Sequence, residues 1–288
     1  MQLAPEVRDA LNSGGAVVAL ETTLVAHGFP AGEGLDVALE AERRVREADA
    51  VPATVGVLDG RVQVGLAAGE LERFAAAGDS ARKAGPRDLA VCVAAGVLGA
   101  TTVGGTLAAC SAAGIRFLGT GGIGGVHRGF AERPDVSADL GELARASVLV
   151  VSSGVKSLLD VTATLEVLEA LGVPVVGWQA ETLPLFYTAE GGPPAPATVA
   201  TAKETAAIVR AHWSLGRAGL VLARPPAESL DVEPLVETAL AEARSRQVTG
   251  QDVTPFGINK RLIADNAALA AEVAVAYAKG EGRLRVSS

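Results

Sequence analysis

A lysine near the middle of the chain occupies a position that suits covalent catalysis on a carbonyl group. Lys156 follows the predicted strand Val148–Val151 through a short Ser-Ser-Gly-Val turn, and it is predicted to begin the next helix. The N-terminus of a helix carries a partial positive charge, which together with partial burial favours the neutral amine. A neutral amine can attack a carbonyl carbon. An exposed lysine at a helix start is the alternative interpretation, and position alone leaves both open.

A glutamate at the end of an apolar strand is the second candidate for catalysis. Glu21 directly follows the predicted strand Ala16–Leu20 and precedes two threonines. Apolar surroundings raise the pKa of a carboxyl group, and a protonated carboxyl can act as a general acid. The alternative is a carboxylate that accepts hydrogen bonds from backbone amides in a turn.

Further polar side chains lie near a glycine-rich segment. Gly119–Gly124 has the G-x-G-x-x-G spacing, but the helix of a dinucleotide site does not follow directly, so we interpret it as a loop whose backbone approaches a small ligand. Asp135 offers oxygen ligands to Mn²⁺ or Mg²⁺. Ser137 also suits the N-cap of a helix that begins near Ala138. Lys83 would either contact a phosphate group or remain in solvent.

The histidines are weaker candidates. His27 and His127 lie in glycine-flanked loops, where a histidine is more often structural than catalytic. His212 lies within a predicted helix beside Trp213, and we interpret it as structural.

The candidates depend on a pattern in which short apolar strands alternate with helices. Asp59-Gly60 lies between two of the strands and indicates a hairpin, so the sheet is expected to be mixed. The pattern predicts a three-layer α/β/α fold with a mixed central sheet, in a single domain over residues 1–288. Ligands bind such sheets at the carboxyl ends of the strands. The predicted strands are Ala16–Leu20, Thr54–Leu58, Arg61–Leu66, Ile115–Leu118, Val148–Val151, Val173–Val176 and Leu220–Ala223. The predicted helices are Leu35–Ala50, Ser157–Leu171, Thr201–Leu215, Pro234–Gln247 and a last one from about Arg261 to Ala278.

Charge and composition argue against several classes of protein. The net charge of −8, without a basic run, argues against a nucleic-acid polymer as partner. The N-terminus lacks the basic and apolar regions of a signal peptide. Glycines interrupt the uncharged run from Leu89 to Ile115, so two helices around a glycine-rich turn are expected rather than a membrane span. Cys92 and Cys110 are expected to be reduced core residues. A cytoplasmic enzyme for a small molecule is therefore expected.

Several segments, in order and spacing, resemble the pseudouridine-5′-phosphate glycosidase family, also called indigoidine synthase A-like. The glycine-rich decapeptide and the lysine segment are the most specific of them, and the resemblance runs through nearly the whole chain. The matching segments are Ala19–Thr23 with His27-Gly28, Val51–Thr54, Arg87–Leu89, Gly99–Val103, Thr120–Gly129, Asp135–Leu140, Gly154–Asp160, Gly172–Gly177 and Thr254–Phe256.

The resemblance implies an activity and a role for each matching residue. The reaction would be reversible cleavage of the C–C glycosidic bond of pseudouridine 5′-phosphate to uracil and ribose 5-phosphate. Lys156 would form a Schiff base with C1′ of the opened ribose, and Glu21 would donate a proton. Asp135 would bind a single Mn²⁺, with Mg²⁺ as an alternative. A homotrimer is also implied. The substrate contacts would be Lys83, Val103, His127, Ser137, Ala138 and Asp139.

The chain departs from the family pattern after Phe256. The leucine-rich turn and Thr-Gly-Gly loop of the family are missing, together with an asparagine near the substrate that Asn259 or Asn266 would have to replace. Two alternatives therefore remain open. One is a C-glycosidase or C-glycoside synthase for another base or sugar phosphate, and the other is a catalytically silent sugar-phosphate-binding protein.

Overall fold

The chain alternates strands and helices throughout the part that the structure describes. The computed structural model describes residues 1–30, 33–230 and 260–280. Its strands are β1 Gln2–Leu3, β2 Val17–Glu21, β3 Val51–Leu58, β4 Arg61–Val64, β5 Arg82–Ala84, β6 Gly99–Thr101, β7 Phe117–Gly119, β8 Val126–His127, β9 Leu149–Ser152, β10 Leu159–Asp160, β11 Val175–Trp178, β12 Ala197–Val199 and β13 Leu220–Ala223. Its helices are α1 Pro5–Asn12, α2 Thr23–His27, α3 Glu33–Glu47, α4 Ala68–Ala77, α5 Leu89–Ala95, α6 Val103–Ala113, α7 Ala138–Leu143, α8 Val161–Ala170, α9 Ala202–Ser214 and α10 Lys260–Ala278.

One large sheet runs through the molecule in the order β1-β4-β3-β2-β7-β9-β13-β11-β12. From β3 to β12 neighbouring strands in this order are parallel, whereas β3 pairs antiparallel with β4 and β6. The β3–β4 hairpin turns at Asp59-Gly60, whose φ values of 50° and 71° suit the predicted tight turn. The prediction of a mixed central sheet is therefore confirmed.

Helices cover both faces of the sheet, as the prediction of three layers requires. Along β2, Val17 and Ala19 face one core, and Val18 and Leu20 face the other. The first core includes side chains of α1, α6, α7 and α8, and the second includes those of α3, α9 and α10. Burial on both faces explains why the strands are continuous apolar runs rather than alternating ones. The described strands thus form one large sheet, apart from the separate two-stranded sheet of β8 and β10. The prediction of a single domain over 1–288 also includes residues outside the described ones.

Two predicted segments fold differently. The run from Leu89 to Ile115 contains the short strand β6 between α5 and α6, where a turn was expected. The predicted helix Ser157–Leu171 begins only at Val161, because β10 pairs with β8 first. The predicted helix Pro234–Gln247 lies outside the described residues. Within the described part, no helix is long and apolar enough to cross a membrane.

Helix α10 is buried on nearly every side. It packs between α3 and α9 against β2, β7 and β9. Gly119 permits this close approach, since a Cβ atom there would lie 2.7 Å from the Cα of Ala267. The first half of α10 therefore reaches the carboxyl ends of the central strands.

Candidate active site

Glu21 is the last residue of β2 and lies buried at the carboxyl end of the sheet. Its side chain is 4% exposed, and the hydroxyl of Thr120 donates a hydrogen bond to its Oε1. The second oxygen, Oε2, has no hydrogen-bond partner among the described residues. Burial raises the pKa of Glu21, against the lowering effects of Lys156, the Thr120 hydroxyl and Lys83. The predicted raised pKa is therefore confirmed in direction, and the protonated carboxyl that a general acid needs is favoured.

Lys156 lies in a loop rather than at a helix start, so that prediction is wrong. The strand β10 intervenes, and α8 begins only at Val161. The partial charge of that helix terminus thus does not lie at Lys156. The backbone amide of Lys156 donates a hydrogen bond to the carbonyl of Ile123 at 3.0 Å, and this bond holds the lysine in the site. The half-buried side chain lies close enough to Glu21 for their charges to interact.

The lysine loop and the glycine-rich loop are joined by backbone hydrogen bonds beyond the sheet. Thr120 donates to the Val151 carbonyl at 3.0 Å, Ser153 to Gly121 at 2.9 Å, and Ile123 to Gly154 at 3.0 Å. Farther out, β8 and β10 pair antiparallel. The Arg128 guanidinium donates to the carbonyl of Ser157 at 2.8 Å. The two loops therefore form one layer that carries Thr120 and Lys156.

The glycines of this layer make room for protein rather than for a ligand at three positions. A Cβ atom on Gly122 would lie 2.5 Å from the ring of Phe186. On Gly124 it would lie 2.2 Å from Oγ of Ser137, and on Gly125 it would lie 2.3 Å from Oγ1 of Thr164. These distances are too short for real Cβ contacts. At these three glycines the loop therefore packs against protein, whereas an approach to a ligand was expected.

Asp139 connects the glycine-rich loop to the start of α6. Its carboxylate accepts from the amide of Gly104 at 2.7 Å and from the amide of Gly124 at 2.8 Å. Val103, the first residue of α6, is buried next to this contact. Charged acceptors bind amides strongly, so Asp139 holds the glycine-rich loop against the start of α6. This role does not depend on a contact with the substrate.

Ser137 and Ala138 form the start of the short helix α7. Ser137 is the N-cap of α7, as the sequence suggested, and its hydroxyl oxygen accepts from the amide of Asp139. Ala138 is exposed. A small anion or hydroxyl group could therefore reach this turn from solvent.

Lys83 lies on β5, next to β6 and the beginning of α6. It is half-buried, and its charge interacts with those of Glu21 and His27. The structure thus brings Lys83, Lys156 and Asp139 close enough to Glu21 for their charges to interact with its carboxyl group.

His127 and Asp135 lie side by side at the outer end of the layer. His127 Nε2 and Asp135 Oδ2 are 4.0 Å apart, with side chains 21% and 28% exposed. Among the described residues, no group of three His, Cys, Asp or Glu side chains could hold a metal ion. The donor set therefore does not fit a buried, fully protein-bound metal. It fits a hard ion that takes one carboxylate and keeps water and substrate ligands.

Asn266 is one of the two asparagines that would have to replace the one missing from the family pattern. It is fully buried on α10, and its amide nitrogen donates to the Thr120 carbonyl at 2.9 Å and to the Ser153 hydroxyl at 3.2 Å. Its Oδ1 has no partner among the described residues. Asn259 lies outside the described residues. Asn266 thus connects α10 to both loops that carry the site.

Thr120 was not singled out from the sequence. Its hydroxyl contacts Glu21 and its carbonyl contacts Asn266. The available signal was its place directly after β7, since polar residues that follow parallel strands collect at the ligand edge.

The other histidines and the cysteines have structural surroundings, as expected. His27 is held by the Ala81 carbonyl at 3.0 Å, and burial lowers its pKa. Burial likewise lowers the pKa of His212. Cys92 and Cys110 are buried free thiols, and burial raises the pKa of Cys110 to about 12.

The chain is similar over nearly its whole length to proteins of known name. A family model described as indigoidine synthase A like protein matches residues 6–276. The pseudouridine-5′-phosphate glycosidase of Streptomyces griseus subsp. griseus is 48% identical, over 96% of this chain and 92% of its own. The protein of the same name from Deinococcus radiodurans is 44% identical, over 97% and 95%.

A solved structure with the same fold contains a sugar phosphate. It is the crystal structure of the prealnumycin C-glycosynthase AlnA in complex with ribulose 5-phosphate. It is 33% identical, covers 97% of this chain and 97% of its own, and superposes with a TM-score of 0.86.

Proposed function

The chain belongs to the indigoidine synthase A-like family, and from this membership we propose that it cleaves and forms the C–C glycosidic bond of pseudouridine 5′-phosphate. The products of cleavage are uracil and ribose 5-phosphate. The observation that carries the proposal is the buried Glu21 with its raised pKa, within electrostatic range of Lys156. An acid and an amine in one site are what this bond requires.

Lys156 serves as the covalent nucleophile. Its amine attacks C1′, and the ribose ring oxygen leaves with a proton from Glu21. The attached nitrogen then gives a proton back to the Glu21 carboxylate, and its lone pair forms the C1′=N iminium as the electrons of the C–C bond move to the base. That carbon of the base takes the proton from Glu21, and the base leaves as uracil. Water hydrolyses the iminium, which releases ribose 5-phosphate and the free lysine and returns a proton to Glu21.

The surrounding residues bind the sugar phosphate. Lys83, Val103, His127, Ser137, Ala138 and Asp139 are the proposed contacts. The charge on Lys83 and the exposed start of α7 support phosphate recognition. Asn266 offers its Oδ1, which has no partner in the described part of the chain, to a donor of the substrate.

Asp135 is the proposed ligand of one divalent ion, Mn²⁺ or Mg²⁺. When bound there, such an ion would neutralise charge on the substrate phosphate. Asp135→Asn should weaken Mn²⁺ binding in isothermal titration of the substrate-free protein. Unchanged Mn²⁺ affinity would contradict the assignment.

The proposed assembly is a homotrimer in the cytoplasm. An exposed apolar surface supports self-association: α5 carries no charged residue, and Val91 and Val97 are 47% and 40% exposed. The free, buried thiols of Cys92 and Cys110 suit a reducing compartment.

The decisive experiment measures uracil release from pseudouridine 5′-phosphate in the presence of Mn²⁺. Wild type should release uracil, and Lys156→Ala should not. Lys203→Ala, which removes an exposed lysine from α9, is the matched control and should retain full activity. Borohydride should trap ribose 5-phosphate on the wild type and on Lys203→Ala, but not on Lys156→Ala. Uracil release by Lys156→Ala at the wild-type rate would overturn the covalent mechanism.

A C-glycoside synthase with another substrate is the second candidate. The similarity to AlnA, with ribulose 5-phosphate in its structure, is the observation that favours it. A substrate panel separates the two, because strong preference for pseudouridine 5′-phosphate eliminates the second candidate. Binding of ribose 5-phosphate without a trapped imine would indicate a catalytically silent binding protein.

A further inference from the structure

A single buried carboxylate on α10 joins three parts of the fold. Asp265 is 9% exposed and accepts from Arg44 of α3 at 3.3 Å and from Arg224, which follows β13, at 3.4 Å. Arg261, one turn earlier on α10, approaches it at 3.8 Å. A buried carboxylate is costly unless it is paired, and these three guanidinium groups supply the pairing.

Arg224 also contacts the strand that leads to the catalytic lysine. Its backbone amide donates to the carbonyl of Ser152 at 2.8 Å. The side chain of the next residue, Ser153, accepts from Asn266. The backbone of Arg224 therefore contacts the end of β9, and its side chain contacts α10.

We propose that Asp265 is a positioning residue for the reaction, acting through its neighbour Asn266 and then through Thr120 on Glu21. Asp265 sets the position of α10 at the carboxyl edge of the sheet. Asn266 then holds the Thr120 carbonyl at 2.9 Å, and the Thr120 hydroxyl donates to Glu21. In this proposal Asp265 acts through other residues and not through contact with the substrate.

The negative charge of Asp265 affects the position of α10 in addition to the packing of its side chain. Without the carboxylate, three guanidinium groups from separate elements would face one another across the start of α10, and their repulsion would move the helix. Displacement of about 1 Å at a supporting residue is enough to reduce turnover substantially. The inference rests on the proposed function for its kinetic test, but its structural test is independent of it.

Asp265→Asn is the direct test, because it removes the charge and keeps the shape. We expect kcat for uracil release to fall roughly ten- to hundredfold, with a smaller change in KM. Asp59→Asn is the matched control, since it makes the same change at the exposed Arg73–Asp59 ion pair and should leave the rate unchanged. If Asp265→Asn fails to fold, Arg44→Gln provides a milder change at the more exposed partner.

The pH profile separates positioning from a purely structural defect. The Thr120 hydrogen bond lowers the pKa of Glu21, so its loss should move the alkaline limb of the kcat profile to higher pH. If Asp265 acted only by its charge through space, loss of that negative charge would lower the pKa of Glu21 and move the limb to lower pH. The charged groups that affect the pKa of Glu21 are Lys156, Lys83 and Asp139, and all remain in the variant. Partial unfolding would lower the rate without moving the limb.

A double-mutant cycle tests the route. In an Asn266→Ala background, Asp265→Asn should have no further effect on kcat, whereas independent action would give multiplied losses. A crystal structure of Asp265→Asn supplies the readout without activity. The amide nitrogen of Asn266 should lie beyond hydrogen-bonding distance of the Thr120 carbonyl, and retention of that bond would overturn the inference. A wild type without uracil release would count against the proposed function alone.

Discussion

Glu21 illustrates how one residue combines stability and chemistry. Its carboxyl is buried, its pKa is raised by that burial, and one of its oxygens has no partner among the described residues. Such a group is unfavourable for folding when ionised, and it is retained where a protonated carboxyl is needed. The same burial therefore predicts both a pH-dependent stability and a carboxyl group that keeps its proton to higher pH than an exposed glutamate does.

The first prediction concerns Glu21→Gln. From its ordinary pKa of 4.5 up to the raised value, the native carboxyl holds a proton that the unfolded chain has lost, so Glu21 makes stability fall as pH rises. Glutamine removes this effect. Urea unfolding should show that the free energy of unfolding of the variant rises relative to that of the wild type as pH increases from about 4 to about 8. Uracil release should meanwhile fall by roughly 10²–10⁴-fold. Parallel stability profiles would show that Glu21 is not desolvated.

At this scale the sequence indicated the candidate side chains better than it indicated their contacts. Glu21 and Lys156 could be singled out as candidates because both follow apolar strands, where ligand sites collect. The Asn266–Thr120 contact could not, because it spans residues far apart in sequence and depends on how deeply α10 enters the fold. The position of Lys156 relative to α8 was wrong because β10 forms through a tertiary pairing with β8.

At the scale of elements, α10 packs closely on β7. Gly119 leaves no space for a side chain, because its Cβ would meet the backbone of Ala267. Because the backbones of both β7 and α10 form this contact, neither can move aside as a flexible side chain would.

The second prediction therefore compares two glycine-to-alanine substitutions. Gly119→Ala should lower the free energy of unfolding by about 1–3 kcal/mol through overpacking. Gly69→Ala is its control, since nothing lies within 4 Å of its Cβ position on α4, and it should stabilise by roughly 0.5–1 kcal/mol. Urea denaturation measures both. Equal effects of the two substitutions would contradict the described approach of α10.

Elements were predicted well where apolar runs were long. The strand Leu220–Ala223 has its predicted bounds, and the hairpin follows from the Asp-Gly pair. The short strands β6, β8 and β10 have too few residues for any periodicity, and they exist because neighbouring chain segments pair with them.

At the scale of the whole molecule, the exposed apolar face of α5 concerns assembly. It lies on the outer surface near β3, β4 and β5, and it lacks the charges that keep monomers apart. Self-association through this face would bury it.

The third prediction addresses that face. Val91→Glu should convert a trimer into monomers in light scattering coupled to size-exclusion chromatography, because a charge would be buried in the interface. Leu215→Glu introduces the same charge at a residue that is 76% exposed at the end of α9, and it should leave the assembly unchanged. A trimer that tolerates Val91→Glu would place the interface elsewhere.

The burial of α10 also has a consequence for biosynthesis. This helix comes late in the chain, yet it fills the middle of one sheet face and supplies Asn266 to the site. A nascent chain emerging from the ribosome can pair its strands early, but it exposes that apolar face until residue 278 has been made. We therefore expect the protein to acquire its final packing only after α10 has been synthesised, with chaperones protecting the uncovered face until then.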